Sequence, residues 1–162
     1  MAEVTTARVL ARKALQKSCG QECVDWAVAM LAAGHDAPHL AMLASEVPPY
    51  NHFELADLRD RALVEVGAPD ISAAAAVAVY AAELFRLVLR GEADLFETLR
   101  DVKDLSLAHD HPGALWDFYL LFHAHDTLRD SEVQFYWDGA TRRNIEAIVR
   151  RRAEELVARL PV

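Results

Sequence analysis

Cys19, Cys23, His35 and His39 follow the pattern Cys-x3-Cys-x11-His-x3-His, which has the residue types of a tetrahedral zinc site. Zinc needs all four ligand atoms within about 2.0–2.3 Å of one point. The intervening VDWAVAMLAAG has helical periodicity and ends in a helix-stopping glycine. A helix from Cys23 to Ala33 separates its ends by about 15 Å, at about 1.5 Å per residue. The cysteine pair and the histidine pair therefore sit at opposite ends of one helix. A disulfide between Cys19 and Cys23 is also disfavoured, because i, i+4 side chains of a regular helix do not reach disulfide geometry. The sequence predicts Cys23 as a buried apolar residue and Cys19 at a helix end. The N-terminus lacks the apolar core of a secretory signal, so the expectation is a cytoplasmic protein with both thiols reduced.

A second cluster lies in SLAHDHPGALWDFYLLFHAHD. Its His-Asp pairs, His109-Asp110 and His125-Asp126, resemble those of HD-type metal phosphohydrolases. Imidazole and carboxylate together hold divalent metals that activate water. The resemblance implies a metal set of His109, Asp110, His125 and Asp126 and a metal-dependent hydrolase. The pattern departs after Asp110, where His111-Pro112 replaces the usual glycine-lysine continuation. Asp110 is also a natural helix N-cap before Pro112. His123 and His125, two apart on a helix, point away from each other.

The third cluster is EVQFYWDGATRRN. Phe135, Tyr136 and Trp137 precede a helix that carries Arg142 and Arg143, and Tyr, Trp and Arg dominate interface hot spots. These aromatics either form a binding surface or anchor the last helix. Tyr50, in SEVPPYN, belongs to a rigid connection or a loop that a partner reads. No G-x-S-x-G elbow, C-x-x-C pair or phosphate-cradling glycine loop is present, and no cofactor is implied.

The elements that carry these residues are all helical in period, which predicts an all-α fold. Helices are expected at about 6–17, 21–33, a short one after Asp36, 51–66, 72–90, 92–107, 111–129 and 141–160. Gly34 and Gly67 supply stops. Asp36 caps the third helix, Asn51 with Glu54 resembles a capping box, and Asp70 or Ser72 caps the fifth. On the second helix, Val24, Ala27, Val28 and Leu31 make the inward stripe. SAAAAVAVYAAELFRLVLRG is apolar over most of its circumference and is expected to be buried on most sides. The expectation is a single domain over 1–162, an irregular helical bundle of seven or eight helices. A chain of 162 residues buries a sizeable core without metal or disulfide.

The net charge of −8 is uneven. Residues 1–20 and 142–162 each carry +3, whereas 21–141 hold seven basic groups against 21 acids, a net of −14. An acidic body disfavours nucleic acid, which needs a continuous basic surface. No apolar run is long enough for a bilayer.

WAVAMLAAGHDAPHLAMLASE, then FELADLRDRALVEVG and LWDFYLLFHAHDTL, resemble small all-helical bacterial proteins whose common pattern is structural and implies no activity. Together these features lead to a non-enzymatic interaction protein, an immunity-type or regulatory partner. Its acidic surface would steer toward a basic protein, with self-association as a further possibility.

Overall fold

A computed structural model describes residues 3–109 and 113–160. Eight helices, and no strand, occur among the described residues. They are α1 (Thr6–Ala14), α2 (Gln21–Ala32), α3 (Pro38–Ala44), α4 (His52–Glu65), α5 (Ala73–Leu89), α6 (Leu95–Ala108), α7 (Trp116–Asp130) and α8 (Ile145–Arg159). None of these helices is long and apolar enough to cross a membrane. The chain divides into two compact units, Met1–Ala76 and Val77–Val162, so that α5 belongs mainly to the second.

In the first unit, α3 packs on both α2 and α4, and α1 packs on α2. The core is built on Trp26, Leu40, Leu43 and Leu55, all essentially without exposure. Trp26 donates its indole Nε1–H to Thr6 Oγ1 at 3.0 Å, which ties α1 to α2. The buried stripe of α2 is Cys23, Val24, Trp26 and Ala27, whereas Val28 is 51% exposed. The sequence stripe therefore erred by about a third of a turn. The bulk of Trp26 sets the inward direction, and Val28 is displaced to the rim.

Helix starts follow several different routes. Asn51 accepts from the N–H groups of Phe53 and Glu54, as the sequence predicts. Ser72 Oγ accepts from Ala75 N–H and so settles the cap of α5. Asp36 does not cap α3. The N-cap is Ala37, and the His39 N–H goes instead to Glu65 Oε2 at 3.0 Å, from the far end of α4. Gly34 and Gly67 adopt positive φ values of 98° and 74°, the left-handed turn that ends α2 and α4.

The expectation of two reduced thiols is overturned. Cys19 and Cys23 are joined by a disulfide, with Cα atoms 5.8 Å apart. The rule against i, i+4 pairing holds for regular helix, but α2 begins only at Gln21 and Gly20 is its N-cap. Cys19 lies outside the helix, so its side chain is free to swing back over the first turn.

In the second unit, α6 packs on α7, and both contact α8. Leu95, Leu99 and Val102 of α6 are buried, with Ile145, Val149 and Leu156 of α8. Phe85 of α5 stacks obliquely on Phe118 of α7, centroids 4.7 Å apart. The Arg86 guanidinium donates to the Leu160 carbonyl at the end of α8. Helix α8 starts four residues later than its apolar pattern implies, because Thr141 to Asn144 form a separate turn.

Candidate functional site

The segment between α7 and α8 is braced by two amide side chains. Gln134 uses both ends of its amide: Oε1 accepts from Tyr136 N–H at 2.8 Å and Trp137 N–H at 2.9 Å. Its Nε2 donates to the carbonyls of Trp137 at 2.5 Å and Ala140 at 3.1 Å. Asn144 repeats the device, accepting from Thr141 N–H at 2.6 Å and donating to Gly139 O at 2.8 Å. Arg142 Nε donates to the Leu128 carbonyl at 2.6 Å, joining the loop to the last turn of α7. Backbone groups that a loop would leave to water are thus satisfied locally, and the segment has little freedom left to lose.

This bracing separates the three aromatics. Trp137 turns inward, with the Arg152 guanidinium over its ring at 5.5 Å. Arg152 is held in turn by Asp117 and by Glu155. Tyr136 lies beside His123, centroids 5.3 Å apart. His123 meets Tyr119 edge-on at 4.6 Å, and Tyr119 stacks on Trp116 at 5.0 Å. Phe135 has no such neighbour among the described residues and is 95% exposed. Anchor and display therefore coexist within one tripeptide: Trp137 fastens the loop and Phe135 faces solvent.

Trp116, Tyr119 and His123 form the strip that sequence reasoning missed. Their i, i+3, i+7 spacing puts them on one face of α7, which is the signal available in the sequence. Trp116 and Tyr136 of this array are partly exposed, as is Val133 earlier in the loop. Asp130, Glu132 and Asp138 are exposed, and none forms an ion pair among the described residues. Arg143 is exposed as well. Tyr50 lies in the other unit, where its hydroxyl donates to Gln21 Oε1 at 2.5 Å.

The His-Asp set is distributed differently. Asp110 lies outside the described residues, and His109 is the C-cap of α6. His125 is stacked face to face on Phe96 at 3.8 Å, and burial pushes its pKa down, with Arg129 acting in the same direction. Asp126 faces Arg129 at 3.7 Å. His125 and Asp126 are adjacent on α7 and project about 100° apart. Among the described residues no three His, Cys, Asp or Glu side chains gather in a group that holds a metal.

An open groove of about 560 Å³ runs between α1, α4 and residues 68–76 of the first unit. Leu10, Leu63 and Ile71 line it, beside the Lys13–Asp60 ion pair at 3.2 Å. Its charged lining is Lys13, Asp60 and Asp70, with Lys13 and Asp60 already paired to each other.

No family model, curated protein or solved structure matches the chain.

Proposed function

We propose that the chain is a non-enzymatic interaction protein, of the immunity or regulatory kind, that docks a basic partner through the 133–138 loop. The observation that carries this reading is a phenylalanine 95% exposed on a loop held by both ends of the Gln134 amide. Exposing an aromatic ring to water has no benefit for folding, whereas a rigid exposed aromatic is the least costly anchor for a partner's pocket. Asp130, Glu132 and Asp138, exposed, close to it in sequence and without an ion pair among the described residues, would supply the charge that a Lys- or Arg-bearing surface complements.

The test compares wild type, Phe135→Ala and Glu132→Gln/Asp138→Asn as baits in extract from the source cell. Wild type is expected to capture a basic protein, with Phe135→Ala losing it even in low salt. The charge variant is expected to show slower association and weaker salt dependence. Identical capture by wild type and Phe135→Ala, or capture of an acidic protein, would overturn the reading. Light scattering on the purified protein separates the remaining occupant: a dimer dispersed by Phe135→Ala would assign the loop to self-association.

A further inference from the structure

The Cys19–Cys23 bond spans the N-cap of α2, and both of its sulfurs sit at that helix end. Gly20 contributes no side-chain cap, so no N-cap side chain occupies the first-turn amides. A helix start of this kind favours a thiolate over a thiol. The bond closes a ring of sequence separation 4, which constrains little unfolded chain. Its surroundings also have other supports, since Trp26 and Leu40 are fully buried members of the same core cluster and Arg8 and Arg12 both pair with Glu22 on the first turn of α2. These ion pairs support the start of α2 alongside the bond.

The two cysteines are 3% and 7% exposed, so a reductant reaches them only when the contacts on their turn open. His52, itself exposed, places its Nδ1 2.6 Å from the Cys19 carbonyl oxygen. Its Cε1 lies 3.7 Å from the position that a Cβ on Gly20 would take. Tyr50 adds the hydroxyl bond to Gln21, the next residue of the same turn. Residues 50–52 therefore rest on the disulfide turn through two side-chain hydrogen bonds.

We propose that Cys19–Cys23 is a reversible thiol–disulfide exchange site, opened by a dithiol reductant, whose state sets how residues 50–52 are held. A thiolate of the reductant attacks one sulfur of the pair, forms a mixed disulfide and releases the other cysteine as a thiolate at the start of α2. The reductant's second thiol then attacks the mixed disulfide. The reductant leaves as a disulfide, and two electrons and two protons have passed to Cys19 and Cys23. Oxidised glutathione reverses the sequence through the same type of intermediate. Once unbonded, the sulfurs separate to van der Waals distance, Cys19 moves its carbonyl, and the His52 contact is released.

The whole protein is treated with dithiothreitol without denaturant, then alkylated with N-ethylmaleimide and weighed intact. Two adducts are expected, and none when oxidised glutathione precedes alkylation. Amide exchange is expected to rise at residues 50–54 in the reduced protein and to stay unchanged at 77–109. His52→Ala, which removes the contact to the Cys19 carbonyl, is expected to be labelled several-fold faster. Labelling only in denaturant, or an unchanged rate in His52→Ala, overturns the proposal. Cys19→Ser/Cys23→Ser provides the control for folding: it is expected to keep full helical circular dichroism and to match the exchange of the reduced form. Loss of its helix signal makes the bond a staple and also overturns the proposal.

Discussion

Glu65, the last residue of α4, serves as the N-terminal cap of α3 through His39. One carboxylate oxygen accepts from the His39 N–H, and the other meets the His39 ring at Nδ1. The side-chain hydrogen bond from His39 is the main cause holding the Glu65 carboxyl below its ordinary 4.5, with the backbone N–H groups of His39 and Leu40 adding to it. The folded state thus binds this proton less readily than the unfolded state. The contribution is complete above 4.5 and is lost as pH falls through the lower folded value. Glu65→Gln is expected to lower Tm at neutral pH, and the gap from wild type is expected to close in acid. Parallel melting curves across that range would contradict the linkage.

His125 gives an acid dependence of separate origin. Burial against Phe96 depresses its pKa, so the unfolded chain takes up this proton at a higher pH than the folded one. Stability attached to His125 is full above 6.5 and declines as pH falls below it toward the folded value. A ring titration by NMR should show a midpoint below 6.5. His125→Phe should flatten the stability profile in that window while retaining the stack.

Gln134 is the keystone of the loop. Gln134→Ala removes four hydrogen bonds and is expected to destabilise the protein by about 1–2 kcal/mol. Phe135→Ala is expected to change stability by less than about 0.5 kcal/mol, as for other surface changes. Denaturant melts of the two variants would distinguish bracing from display, and equal effects would contradict the division of labour.

Trp26→Phe isolates the tie between α1 and α2. It leaves Thr6 Oγ1 without the indole donor and opens a small void in a fully buried site. The expected cost is about 1–3 kcal/mol, combining a lost hydrogen bond with partial cavity formation. Urea unfolding followed by far-UV circular dichroism measures it.

Local features were legible in the sequence. Gly34, Gly67 and Asn51 marked helix ends because each acts on its own few residues of backbone. The buried Leu95, Leu99 and Val102 are spaced four and three apart, so the helical period by itself puts them on one face. Long-range features were not legible. Nothing near Asp36 indicates that a glutamate 26 residues after His39 takes over its capping role. Burial of Trp26 over Val28 depends on how α1 and α3 meet α2. The disulfide was misjudged because helical spacing was extended one step too far, across Gly20 to Cys19. The aromatic triplet could be located but not oriented, because the partners that turn Trp137 inward lie on α7 and α8.

The Gln134 brace grips the loop only through its main chain. The side chain at 135 is 95% exposed and makes no ring contact, ion pair or side-chain hydrogen bond among the described residues, so its identity is nearly uncoupled from folding. A lineage carrying this scaffold could exchange phenylalanine there for another residue in a single step at little cost in stability. Under the interaction reading, such a step would change the preferred partner and keep the fold, which leaves recognition at this position free to evolve quickly.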